Sequence, residues 1–437
     1  MEILLYVAGI VFMLVGLGLS IGLHEIGHLV PAKLFGVRVG QYMIGFGPRI
    51  WSKRIGETEY GFKALPLGGF ISMSGMYPAS DGKPVRGLFA SLVQDARSAN
   101  DETIAEGAEE RVFYRLPMWK RIIVMLGGPL MNLILAVLIF TVLASGIGLQ
   151  QGTTTIANVN ECVLPAGTSQ TECEQGDPAT PAAEAGVLPG DVLVSIDGTP
   201  VADFAEATAI VQASPGDTLD MVVSRDDEEV HLSITPIPAE RELTDAAGQP
   251  LLDENGEQVI AEVGYVGMLS QNGYVRQPIT AGVEITGENV VRVAELVVQL
   301  PVKLWHVGAS VFAGAERDPN GPLSVVGVGR LAGEAAATDA PALNRFVFLL
   351  SLLGSLNIAL FVFNLIPLLP LDGGHVVVAL WDGIRRAAAK LFGRPPPAPV
   401  DATRLVPLTV VVAVLLIAMG ALLMIADVVS PVNLLGG

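Results

Sequence analysis

The sequence predicts a polytopic α-helical membrane protein with four transmembrane helices, a membrane-associated β-hairpin region and an inserted β-rich domain outside the cytosol. Three observations predict it. Hydrophobic residues make up 51% of the 437 and charged residues 16%, against about 25% charged in a soluble domain. Residues 3–23, 122–149, 346–371 and 405–426 contain no Lys, Arg, Asp or Glu, and each is long enough to cross a bilayer core as a helix of about 20 residues. The net charge of −18 is also concentrated: residues 151–342 carry 7 basic and 29 acidic side chains, leaving 19 and 15 elsewhere. An acidic middle between apolar, mildly basic ends is not one domain. It lacks the basic face that nucleic-acid binding requires, so no nucleic-acid partner is expected.

Taken in order, residues 1–36 hold the first span. It runs directly into His24 with no basic leader and no small-residue cleavage site, so it reads as retained and not as a signal peptide. Residues 37–117 begin with short strands and hairpins over 37–75, marked by turn signals at GFGP (45–48), Gly56 and Gly68-Gly69. A polar stretch at 78–110, acidic over 101–110, reads as mobile or loosely helical. The second span lies in 118–150.

Residues 151–270 read as the small β-rich domain. It has a strand at 192–196, a turn at 197–198, an amphipathic helix at 204–213, and a hairpin of 218–224 with 230–235. Residues 271–342 carry apolar residues at helical spacing over 284–314. That helix either lies along the outer membrane face or packs on the globular domain. The third span and its extension occupy 343–384. A linker at 385–403, stiffened by RPPPAPV (394–400), leads to the fourth span at 404–428 and a tail at 429–437.

Orientation follows the Lys/Arg bias of short flanking segments. Residues 35–121 include Arg38, Arg49, Lys53, Arg54, Lys120 and Arg121, and the connection before span four includes Arg385, Arg386, Lys390, Arg394 and Arg404. Both belong in the cytosol, so residues 151–342 and both termini fall outside. The two cysteines, Cys162 and Cys173, are then in a compartment that permits a disulfide. Two unrelated thiols remain the other reading.

One run carries chemistry. His24-Glu25-Ile26-Gly27-His28 matches H-E-x-x-H, in which two histidines four apart on a helix face one way and share a metal. Glu25 is placed to take a proton from water at that metal. The run continues an uncharged span, where ionisable side chains are costly and functional by default. A catalytic zinc normally has three protein ligands and one open position. His231 and His306 lie in the outer region, away from the cytosolic end of span one. Asp372 follows span three, which runs inward, and Pro367 and Pro370 break the helix before it. Irregular backbone at that depth is tolerated where it lines a cavity. Asp372 is therefore the favoured third ligand and His375 its competitor.

HEIGH with Ala32, GFGP, LPLGGF (65–70), LGGPLMN (126–132), PAAEAGVLPGDVLVSIDG (181–198), GPLSVVG (321–327) and Asn364-x-x-Pro367 followed by LDGG (371–374) resemble the bacterial site-2 proteases. These are intramembrane zinc metalloproteases with a PDZ domain outside the cytosol, and the likeness covers nearly the whole chain. It implies one catalytic Zn2+ held by His24, His28 and Asp372, Glu25 as general base, and Asn364 near the substrate. It implies cleavage of single-pass membrane proteins already shortened outside, such as anti-sigma factors, or of remnant signal peptides. The place of action would be the bacterial plasma membrane, with the site near the cytosolic side.

Two departures stand out. The second proline follows Asn364 by six residues and not by five, and only one PDZ-like unit is evident. Pro31 should also disturb the last turn of the first helix by removing a donor. A strand edge in 59–73, bent at Gly68 and Gly69, could pair with an extended substrate, or the hairpin could be free of substrate. LGGPLMN should let span two approach its neighbours and break locally, with Asn132 bonding another helix. The PDZ-like domain would either bind trimmed ends or act as a size filter. Two other classes are a scaffold recruiting partners and a metal transporter. The first has no need of Glu25, and the second needs polar residues across several spans.

Overall fold

The computed structural model describes residues 2–78, 89–104, 107–163, 173, 177–242, 259–315, 317–318 and 321–431. Part of the polar stretch at 78–110 and most of the tail at 429–437 lie outside these. The chain divides into two compact units, residues 144–278 and the remainder.

The larger unit opens with α1 (Glu2–Leu34). Two long strands follow, β1 (Val39–Ile55) and β2 (Thr58–Met73). Each is folded on itself. Residues 39–44 of β1 pair with 69–73 of β2 on one side and with 59–62 on the other, while 58–62 also pair with 51–55. The result is four short strand segments joined by three ladders, in the order 69–73, 39–44, 58–62, 51–55. The bend in β1 falls at the GFGP run, where Gly45 and Gly47 have positive φ, a conformation glycine adopts without steric cost.

Next come α2 (Ala90–Glu102) and α3 (Met118–Thr141). The expected break of span two does not occur. Pro129 lies inside α3, which packs on neighbouring helices over its length, so the loss of one hydrogen bond is tolerated. Asn132 also departs from expectation. It is fully buried, and neither amide atom has a hydrogen-bond partner among the described residues.

The inserted unit holds β3 (Leu149–Val159), α4 (Pro181–Glu184), β4 (Val192–Ile196), β5 (Thr199–Pro200), α5 (Phe204–Gln212), β6 (Leu219–Arg225), β7 (Glu228–Ile234), β8 (Ile237–Glu242), β9 (Ile260–Tyr265) and β10 (Met268–Val275). One sheet runs β10-β3-β4-β6-β7, with β5 on β4, and β8 pairs β9 separately. The turn between β6 and β7 is tighter than the sequence suggests, because Asp226 and Asp227 both adopt positive φ, as the two-residue turns of twisted hairpins require. Ile196, Met221, Val223 and Ile234 fill its core. Cys162 and Cys173 are joined by a disulfide.

The chain then returns through α6 (Ala281–Phe312), α7 (Val325–Ala337), α8 (Ala342–Asn364), α9 (Asp372–Leu391) and α10 (Val406–Val429). Helix α6 packs on α3, α8 and α10. Residues 385–391, read from sequence as linker, continue α9. The helix ends where Gly393 takes positive φ and the Arg394 amide donates to the Ala389 carbonyl at 2.8 Å, just ahead of the prolines at 395–397. The GPLSVVG run caps α7: Ser324 Oγ accepts from the amides of Val326 and Gly327, and the Ser324 amide donates to Asp427 of α10 at 2.6 Å. Among the described residues, four helices are long and apolar enough to cross a membrane: Glu2–Leu34, Met118–Ile147, Ala342–Asn364 and Ala402–Val429.

Candidate active site

Three side chains from two distant helices converge. His24 and His28 stand one turn apart on α1, and Asp372 opens α9. His28 Nε2 lies 3.2 Å from His24 Nε2, and each lies 3.3 Å from Asp372 Oδ2. These side chains are 12%, 6% and 18% exposed. Two nitrogens about 2.0–2.1 Å from a tetrahedral zinc stand ~3.3 Å apart, so the separations fit one ion between the three atoms. Hydrogen bonding agrees. His28 Nδ1 donates to the Val124 carbonyl of α3 at 2.7 Å, which leaves the Nε2 lone pair free to face a metal.

The walls depend on missing side chains. A Cβ at Gly128 of α3 would stand 2.2 Å from His28 Nε2 and 2.7 Å from His24 Nε2. One residue before these, Gly27 and Gly127 bring α1 and α3 into backbone contact, each with the other's carbonyl where a Cβ would be. Pro31 explains part of this. It has no N–H to give to the Gly27 carbonyl, and that freed carbonyl meets α3. Helix α1 nevertheless continues to Leu34, so the expected disturbance is confined to this one group.

The LDGG glycines act similarly, since a Cβ at Gly373 would stand 2.4 Å from the Leu365 carbonyl oxygen and one at Gly374 2.5 Å from the Leu369 amide. Residues 365–371 can thus fold tightly onto the first turn of α9. Glu25 is buried, and a Cβ at Gly69 of β2 would lie 3.0 Å from its Cγ. The ladder segment 69–73 therefore passes directly beside Glu25, and among the described residues it pairs with β1 alone.

Of the residues singled out in the sequence, His24, His28 and Asp372 come together. His375 is outside that cluster; its ring stacks on Tyr77, with centroids 6.2 Å apart. Gly69 faces Glu25, whereas Gly68 serves the bend, with φ +100° and Phe46 packed where its side chain would be. Asn364 donates to the Leu360 carbonyl of its own helix at 2.9 Å. Sequence reasoning did not find Val124, Gly128 or Tyr77. LGGPLMN announced a close approach, but no pattern in it names the histidines as what is approached.

A largely buried His₂Asp trio beside a carboxylate, with four membrane-length helices among the described residues, fits a multi-pass membrane metallohydrolase. The model of Peptidase family M50 matches residues 12–394, and the chain belongs to that family, the site-2 proteases. It is 35% identical to the zinc metalloprotease Rip1 of Mycobacterium tuberculosis, over 99% of this chain and all of the relative. It is 33% identical to Rip1 of Mycolicibacterium smegmatis, over 98% of each, and 26% identical to the metalloprotease MmpA of Caulobacter vibrioides, over 86% of this chain and 87% of that one. The chain is thus a zinc metalloprotease.

Proposed function

We propose that this protein hydrolyses peptide bonds in or beside the membrane spans of single-pass proteins, with zinc held by His24, His28 and Asp372 and Glu25 as general base. The observation that carries this reading is the convergence of two Nε2 atoms and one carboxylate oxygen at 3.2–3.3 Å next to a buried glutamate. When bound, zinc supplies a Lewis acid that polarises the scissile carbonyl and acidifies water. Glu25 takes the proton of the attacking water and returns it to the leaving amine. Val124 keeps His28 in the tautomer that leaves Nε2 free.

A membrane helix hides its peptide bonds and must unwind before it is cut. Segment 69–73 offers an unwound stretch a strand edge, whose hydrogen bonds offset those lost. Gly69 lets that stretch lie close to Glu25, Gly68 turns the strand, and Asn364 contributes a polar contact near the substrate. An apolar cavity of about 740 Å3 between α1, α7, α8 and α10, lined by Ile10, Met13, Leu14, Val328 and Leu356, gives a substrate helix room to enter from the bilayer.

The inserted unit is read as a PDZ domain outside the cytosol, with the active site toward the cytosolic face of the bacterial plasma membrane. A cavity of about 210 Å3 between α5 and the strands β9 and β10 favours peptide capture over a pure size filter. Substrates are shortened anti-sigma factors or remnant signal peptides. Glu25→Gln tests the mechanism: cleavage of a membrane-anchored substrate in cells should fall about 10²–10⁴-fold. Unchanged cleavage would sink the assignment.

A further inference from the structure

Directly after the edge segment 69–73, the chain is fastened to the last turn of α2. Ser74 Oγ donates to the Thr103 carbonyl at 2.7 Å, and the Gly75 amide donates to Thr103 Oγ1 at 3.0 Å. Asn100 brackets Tyr77. Its Oδ1 accepts from the Tyr77 amide and its Nδ2 donates to the Tyr77 carbonyl, both at 3.0 Å. Helix α2 is itself latched to the foot of span four, where Arg97 donates to Asp401 and, through Nε, to Thr403 Oγ1 at 3.3 Å. The buried residues of α2 are Val93, Arg97 and Asn100. Two of the three are polar, so this helix spends its inner face on directed hydrogen bonds, which fix position where apolar packing would leave latitude.

What this arrangement holds in place is the Tyr77 ring, stacked on His375 with an interplanar angle of 28°. His375 is three residues after Asp372 in the first turn of α9, so both project from one face of that helix. The Leu371 N-cap makes no side-chain hydrogen bond, and the turn that presents Asp372 lacks the usual anchor. We propose that Tyr77 is a positioning residue of the metal site: clamped by Asn100, it presses on His375 and holds the first turn of α9 so that Asp372 meets His24 and His28. This rests on the ligand set proposed above. It gives His375 a task next to the metal and not on it.

The test is zinc affinity of the full-length protein in detergent, by competition with a chromophoric chelator. Tyr77→Leu fills the space without a stacking ring and should weaken zinc binding about tenfold, as loss of an outer-shell partner does. Tyr77→Phe should restore it to within about twofold, because the ring and not the hydroxyl makes the stack. Asn100→Ala should weaken it in the same direction, and no further when combined with Tyr77→Leu. Equal zinc affinity in Tyr77→Leu and the unaltered protein would overturn the proposal, as would a Phe variant as weak as the Leu variant. Should Tyr77→Leu fail to fold, the Phe and Asn100→Ala proteins decide: Asn100→Ala with unaltered affinity contradicts it. Asp372→Ala and His24→Ala separate the two claims. If they keep zinc, the ligand set is wrong; if they lose it while Tyr77→Leu does not weaken it, only this inference fails.

Discussion

At the residue scale the site is defined as much by absent atoms as by present ones. Gly128 shows this best, because its Cα sits where any side chain would occupy the space in front of both histidine Nε2 atoms. Gly128→Ala should therefore displace His28 and abolish zinc binding while helix content persists. Zinc-to-protein ratio and circular dichroism check this together, with Gly18→Ala as control, since a Cβ there meets nothing within 4 Å. A variant that keeps stoichiometric zinc would mean the helices part easily and the wall is not rigid. HEIGH itself was legible in the sequence because its spacing alone puts two imidazoles on one helix face. Gly128 was not, because a glycine's effect depends on what lies across from it.

At the element scale, contacts between elements decide positions that periodicity leaves open. Span two was legible as a helix, but not its unbroken passage through Pro129, which depends on flanking helices. Helix α9 was read too short, since arginines at 385, 386 and 394 suggested a connection, whereas Arg121 of α3 and Arg386 pair with the fully buried Asp382 inside the helix. In the inserted unit, Asp191 ties the end of β6 to the turn after α4. Arg225 donates to both its oxygens at 2.7 and 2.8 Å, and the Leu188 amide donates at 2.9 Å. Burial pushes the Asp191 carboxyl up, but these hydrogen bonds outweigh it and hold it below the usual carboxylate range. A depressed pKa contributes stability that is present above the unfolded value, about 3.9, and is lost as pH falls through the folded one. Thermal unfolding of this unit should thus be insensitive to pH near 7, where Asp191 contributes in full, and soften below about pH 4. Asp191→Asn should flatten that acid slope, and an identical slope in both proteins would contradict the linkage.

On the scale of the whole molecule, charge partition and the four uncharged stretches already divided the chain into membrane and inserted parts. That much is legible because lipid and water impose opposite compositions on long segments. The doubled ladder of β1 and β2 was not legible, since it comes from two bends meeting in space. Nor was the strap from α2 to His375, which joins residues about 300 apart in the chain. The central claim is that one membrane-embedded zinc is held between the first helix and the helix after span three. Its sharpest measurement is the zinc content of purified protein with Asp372→Ala beside His375→Ala, each supplied with micromolar zinc. One zinc per chain should remain in the His375 variant and none in the Asp372 variant; loss from His375→Ala with retention in Asp372→Ala would contradict the site as assigned.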